Sequence, residues 1–248
     1  MSRTRNSLIL LGSVMFATPG MAQEGKGFLF RAPKVVISAF GGYAMPMANS
    51  DLFDFTSGQL TLGKSDFAGM DRGADLSIAI NERLDISVGV SHSQSSSRSE
   101  FRDWVDGDDQ PIEQTTSFSR TPLTVSLRYH PLPRGRTIGS FAWIPAPFDP
   151  WVGVGVGRMK YWFIQRGDFI DFTDPAALVV FGDTFRSSGW ANMVQASVGT
   201  GWSLSPRFIL TGELRYINAR GTVGQDFEGF QKIDLSGAAT TFGIAFRL

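Results

Sequence analysis

Thr240-Thr241-Phe242-Gly243-Ile244-Ala245-Phe246-Arg247-Leu248 alternates along its length: Phe242, Ile244, Phe246 and Leu248 are apolar, while Thr241, Gly243, Ala245 and Arg247 are small or charged. A period of two is a strand with one greasy face and one wet or crowded face. Placed last in the chain, such a strand suits the closing edge of a membrane barrel. Phe242, Ile244, Phe246 and Leu248 are therefore expected to form a lipid-facing assembly signal.

Working outward, seven more stretches alternate: about Val35–Met45, Gly73–Asn81, Leu84–Ser91, Thr116–Tyr129, Trp151–Phe163, Trp190–Trp202 and Phe208–Ile217. The third is the clearest, with Leu84, Ile86, Val88 and Val90 on one face and Asp85, Ser87, Gly89 and Ser91 on the other. The connections alternate in length. Asn81-Glu82-Arg83 and Ser203–Arg207 are tight, whereas 47–71, 95–115, 165–188 and 218–233 are long and polar. Short turns on one rim and long loops on the other are the layout of an outer-membrane barrel. Residues 130–150 sit on the short-turn rim but hold Pro131, Pro133, Pro145, Pro147 and Pro150, so an irregular loop is expected there and no ninth strand. In the fifth stretch Val152, Val154 and Val156 face one way and Arg158 and Lys160 would follow them into lipid. A bulge near Gly157 would send Met159, Tyr161 and Phe163 outward instead. The alternative is that Arg158 and Lys160 snorkel to lipopolysaccharide phosphates.

The N-terminal end agrees with export. Arg3 and Arg5 precede a short apolar run, Leu8–Ala17, and Pro19-Gly20-Met21-Ala22 supplies a break and small residues at a cleavage site. Residues 1–22 read as a secretory signal peptide, 23–33 as a periplasmic segment and 34–248 as the barrel. Without residues 1–22 the chain has a slight negative charge, which argues against nucleic acid as a partner. There is no cysteine, so no disulfide holds the fold. No later run is long and apolar enough for a helical span. Tyr129, Trp202, Phe208 and Phe246 fall at one set of strand ends, and Tyr43, Trp190 and Tyr216 at the other. Eight residues from Phe208 to Tyr216, tilted near 40°, span roughly 20 Å, about the height between two aromatic girdles. The fold class expected is all-β, an eight-stranded antiparallel up-and-down transmembrane barrel.

These residues resemble the small eight-stranded outer-membrane barrels of the OmpA, OmpX and OmpW kind. The likeness is carried by the signal peptide, Val152-Gly153-Val154-Gly155-Val156, Glu213-Leu214-Arg215-Tyr216 and the terminal Phe246-Arg247-Leu248. The family usually ends in Phe; here the last residue is Leu248. The resemblance implies an outer-membrane location and a monomer. It implies outer-membrane lipids and lipopolysaccharide as surroundings, and recognition of the terminal strand by the barrel assembly machinery. It also implies a non-enzymatic envelope or surface-interaction role, or else a narrow channel or a hydrophobic-solute conduit.

The inward register collects Asp75, Asp85, Arg128, Glu213, Arg215 and Arg247, expected to form a salt-bridged network, since eight strands leave room for little but side chains. A gate over a narrow path is the functional alternative. His92 stands near the outer rim among serines, and some lipid A deacylases carry a Ser/His pair on this wall. Their His-x-Ser-Asn pattern is missing, so His92 is only a weak candidate for catalysis. His130 beside Pro131 reads as a rim loop residue. Asp106 and Asp108 have the spacing of a calcium-loop fragment without its other ligands, so no metal is expected. Phe53, Phe55, Trp104, Phe169, Phe172, Phe181 and Phe185 suggest that the loops pack on each other or meet a ligand. No phosphate loop, dinucleotide fingerprint or zinc spacing is present, and no cofactor is expected.

Overall fold

The computed structural model describes residues 27–171 and 179–248; the expected signal peptide lies outside them. The strands are β1 (Val35–Pro46), β2 (Gly69–Ala79), β3 (Leu84–Val105), β4 (Pro111–Tyr129), β5 (Gly135–Ile138), β6 (Ala142–Pro145), β7 (Phe148–Asp171), β8 (Val179–Ser203), β9 (Phe208–Gly221), β10 (Ile233–Asp234) and β11 (Gly237–Arg247). A single α-helix among the described residues, α1, spans Asp51–Gln59. Strands β1, β2, β3, β4, β7, β8, β9 and β11 form an antiparallel ring, each paired with the next. The ring closes where β11 returns to β1, from Val36 opposite Arg247 to Pro46 opposite Gly237.

Alternation decides the faces. Ile37, Leu76, Ile78, Val88, Leu127, Val154, Leu214 and Ile244 point out and stay exposed, an apolar band far larger than a water-soluble surface carries. Tyr129, Trp202 and Phe208 edge this band toward the short turns, with Phe246 packed 5.1 Å from Phe208, and Tyr43, Trp190 and Tyr216 edge it on the other side. A closed ring with no free edge, a lipid-facing band and aromatic girdles is a transmembrane barrel of the outer-membrane type, with its short turns in the periplasm.

Three expectations need correction. Residues 95–115 and 165–188 are largely strand. β3 leaves β2 beyond Gln94 yet continues to Val105 against β4, and β8 runs from Val179, although its pairing with β9 begins only at Met193. Above the membrane the outward residues no longer need to be apolar, so Gln94, Ser96, Arg98, Ser117 and Thr115 keep the ladder and lose the signal. Residues 130–150 are not wholly irregular: β5 and β6 pair only with each other, apart from the ring's ladder, and Pro150 stands inside β7. No bulge occurs near Gly157. β7 pairs without a shift on both sides, so Arg158 faces outward and Met159, Tyr161 and Phe163 face inward.

One close approach requires glycine. The ring of inward-facing Tyr161 reaches across β8 to β9, and its hydroxyl donates to the Thr222 carbonyl. A Cβ on Gly189 would lie 2.7 Å from its oxygen, and one on Gly221 2.5 Å from its ring.

Leu248 N–H donates to the Val35 carbonyl at 2.9 Å and Arg247 N–H to the Arg207 carbonyl at 2.9 Å, so the last residues seal the periplasmic end of the closing seam. Deleting Phe246–Leu248 is expected to abolish the compact, heat-modifiable band on SDS gels. A truncated chain that keeps that band would contradict this role for the seam.

Candidate functional site

The lumen is built in layers. At the periplasmic mouth, the segment after β4 turns inward and lays the β5–β6 hairpin across the opening. Arg134 donates to both Asp85 oxygens at 2.7 and 2.9 Å and to the carbonyls of Asn81 and Glu82, which ties the hairpin to the turn between β2 and β3. Trp143 on β6 is buried, bridges Leu29 and lies under the Arg247 guanidinium at 5.6 Å. His130 is buried between two carboxylates: Nδ1 lies 2.7 Å from Asp149 Oδ1, and Nε2 lies 3.2 Å from Asp85 Oδ2. Sequence alone reads it as a rim loop residue because Pro131 follows it, yet it continues the inward series of Thr124, Ser126 and Arg128, and its backbone N–H donates to the Arg83 carbonyl at 2.8 Å. Burial by itself lowers the His130 pKa, but the contacts with Asp149 and Asp85 outweigh it and hold the imidazole above its ordinary value.

Above this mouth lies a cavity of about 240 Å³ whose walls include Phe40, Ser77, Trp151, Thr211 and Thr241. Arg128 crosses its upper part. It donates to Asp75 Oδ1 at 3.1 Å, to Ser77 Oγ at 3.0 Å and to Glu213 Oε2 at 3.2 Å, and its guanidinium stacks 5.4 Å from the Trp151 ring. Ser38 donates to Asp75 Oδ2 at 2.6 Å. Arg215 bonds Asp71 at 3.3 Å and lies 3.7 Å from Glu213, so Glu213 links the two arginines. The charges come from several strands because every second residue of each strand points inward. Removing one partner from such a buried network costs about 3–5 kcal/mol, since the other is left charged and unpaired.

Of the six charges expected in one network, Asp75, Arg128, Glu213 and Arg215 meet. Asp85 lies apart, held by Arg134 and His130, and Arg247 makes no ion pair among the described residues; it donates to the Pro206 carbonyl and Ser203 Oγ. Sequence reading misses Asp71, Arg120, Arg134, His130 and Asp149. Asp71 falls in a segment that reads as loop, although Asp71, Gly73 and Asp75 alternate with the outward series Met70, Arg72, Ala74 and Leu76. Arg120 continues the inward series of Arg128, Ser126 and Thr124, a signal that could have found it.

The extracellular third of the lumen is apolar. Ser50 and the acids Asp51 and Asp54 begin α1, which buries Leu52 and Phe53 in the barrel mouth. Phe53 meets Phe67, Phe118 and Phe163 edge-on, at 4.7, 5.3 and 5.6 Å. Met159, Tyr161, Met193 and Ile217 come from the wall, and Phe227, Ile233 and Leu235 from the segment between β9 and β11. The two segments are stitched together. Asn49 N–H donates to Asp234, Gln231 N–H to Asp51, and the buried Arg120 donates to the Leu235 and Ser236 carbonyls. Beyond the ring, Phe169 packs 4.5 Å from Phe185 and 6.0 Å from Phe181; Phe172 lies outside the described residues.

The remaining candidates are engaged within the chain. His92 is half-buried, and its Nδ1 lies 2.8 Å from Thr121 Oγ1; no carboxylate orients it among the described residues. Asp106 accepts the backbone N–H groups of Asp108 and Gln110 and so caps the β3–β4 turn. Among the described residues no three His, Cys, Asp or Glu side chains are grouped to hold a metal ion.

The His130 latch has a definite pH sign. Its folded pKa is raised, so its stabilisation is fully present below the unfolded value of 6.5 and is lost as pH rises through the folded value. His130→Gln is expected to lower stability on the order of 2 kcal/mol at pH 6 and much less at pH 8.5. Urea unfolding of the vesicle-inserted barrel at the two pH values measures this; equal losses would contradict a charged latch.

No protein-family model and no curated protein sequence matches the chain. Among solved structures it is similar to Neisserial surface protein A (13% identity, 86% of this chain and 96% of that one, TM-score 0.47). It is also similar to the outer membrane protein OprG from Pseudomonas aeruginosa (11%, 88% and 97%, TM-score 0.48). A third is a major outer membrane protein from Thermus thermophilus (14%, 88% and 100%, TM-score 0.42). The architecture therefore rests on this chain's own ladder and lipid-facing band.

Proposed function

We propose that the chain is a non-enzymatic integral barrel of the outer membrane that acts as a rigid surface-interaction platform. The outward ends of β3–β4 and β7–β8 and the packed segments 47–68 and 222–236 form its presented face. The observation that carries this reading is the apolar plug around Phe53, which fills the extracellular lumen with side chains and leaves the loops fixed from within. A mouth built to pass solutes would be lined with polar groups and water; this one is packed like a protein interior. The platform stands among outer-membrane lipids and lipopolysaccharide as a monomer, and reaches the membrane through recognition of β11 by the assembly machinery.

A second reading, a conduit for a small solute, is favoured by the periplasmic cavity of about 240 Å³ beneath Arg128. It requires the plug to move.

Planar-bilayer recording separates the two. The platform is expected to give background conductance with no discrete steps, and regular unitary openings would replace it with the conduit. The presented face is tested by cysteine scanning, which the cysteine-free chain makes clean. Asp108→Cys is expected to react with an impermeant maleimide on intact cells, and Thr137→Cys only after the outer membrane is opened. The reverse pattern would overturn the orientation.

A further inference from the structure

The outward face of β7 and β8 breaks the lipid-facing rule. Val152, Val154 and Val156 face out, and in unbroken register Arg158, Lys160 and Trp162 follow on the same side. A cation in that register is strongly disfavoured at the bilayer centre and tolerated at the interface. These two are held there by indoles. The Arg158 guanidinium lies 5.5 Å from the Trp190 ring centre, and Lys160 Nζ lies 5.2 Å from that of Trp162 and 5.9 Å from that of Trp190. Lys160 and Trp190 are direct cross-strand partners, which puts the cluster at the outer girdle.

The surroundings are donors. Further from the membrane along the same face, Arg186 stands opposite Ile164, and Arg166 donates to Thr184 Oγ1 at 3.4 Å. On the adjoining strand β4, Thr121, Ser119, Ser117 and Thr115 lie opposite Lys160, Trp162, Ile164 and Arg166. Among the described residues no carboxylate forms an ion pair with Arg158, Lys160 or Arg186. The acids on this side lie further out along the strands: Asp226 accepts the Arg186 backbone N–H, Glu113 pairs with Arg98, and Asp168 stands two residues beyond Arg166. Arg158 and Lys160, without an ion-pair partner among the described residues, fixed by aromatic rings at the membrane surface and flanked by hydroxyls, match a phosphorylated sugar headgroup.

We propose that the outward face of β7 and β8 is a docking site for the phosphate groups of lipopolysaccharide in the outer leaflet. Arg158 and Lys160 take a phosphate, Trp162 and Trp190 pack beside the acyl–sugar junction, and the β4 hydroxyls meet the sugar. Ordered lipid along β7 and β8 would also brace the extended hairpin above the membrane. The inference rests on the outer-membrane orientation and not on whether the lumen conducts.

The test uses the full chain in detergent micelles, titrated with bis-phosphorylated lipid A and with dephosphorylated lipid A and read by native mass spectrometry. The wild-type chain is expected to bind the phosphorylated form at least about tenfold more tightly. R158Q/K160Q is expected to lose that preference while keeping its heat-modifiable band, and K34Q, at the periplasmic rim, to retain it. If R158Q/K160Q does not fold, R158K/K160R, which keeps both charges, must retain the preference alongside the wild type. Equal binding of the two lipids by the wild type, or an undiminished preference in a folded R158Q/K160Q, overturns the proposal. So does displacement of lipid A by millimolar inorganic phosphate, which would mark a site for the free anion, or a lipid-independent dimer in the mass spectrum, which would mark a protein interface.

Discussion

A sheet in hydrocarbon has no water to satisfy an unpaired edge, so this structure depends on the ladder between β1 and β11. Once that seam closes, eight strands fix the barrel's width, and the width leaves an interior that side chains can fill. Every second residue of eight strands is then committed to the lumen, and the contents of the lumen become the protein's main design variable. Here they change character along the axis. Asp75, Arg128, Glu213 and Arg215 meet at mid-height as an ion-paired network, while Phe53, Phe67, Phe118 and Phe163 meet above it as an apolar core.

That change in character links the layers to function. A cavity lies beneath the charge network, and the hairpin held by Arg134 and His130 covers that cavity from the periplasm. The apolar layer does for the outer loops what a core does for a soluble domain. Burying side chains the size of Phe53 and Leu52 contributes about 1.5–3 kcal/mol each, which helps offset the entropy of ordering the segment that carries them. Segments 47–68 and 222–236 are consequently part of the fold. The surface offered to the outside is a shaped solid whose tallest walls are the β3–β4 and β7–β8 hairpins.

The barrel is legible wherever one face has to meet lipid. Alternation of the kind seen at Leu84, Ile86, Val88 and Val90 marks membrane depth as much as strand, and it places all eight strands of the ring. It fails where the strands leave the membrane, because Gln94, Ser96 and Arg98 face water and read as loop. It fails at α1, whose nine residues bury Leu52, Phe53 and Thr56 against partners distant in sequence, so no helical period is long enough to stand out. The prolines of 130–150 exclude a central strand and hide the small hairpin, which needs only one partner. The lumen charges are found in kind from the inward register, but their pairing is not, because strand stagger decides that Arg215 reaches Asp71 and that Asp85 meets Arg134. At Arg158 a bulge is the reading that spares lipid from charge; Trp162 and Trp190 supply the physical alternative by holding the cations at the interface.

The outer segments are packed core and not loops over an open pore. Amide hydrogen exchange on the barrel in lipid nanodiscs tests it most directly. The amides of α1 and of Ile233–Ser236 are expected to be protected over hours, on the scale of the barrel strands. Exchange of these amides within seconds, with the strands still protected, would contradict it.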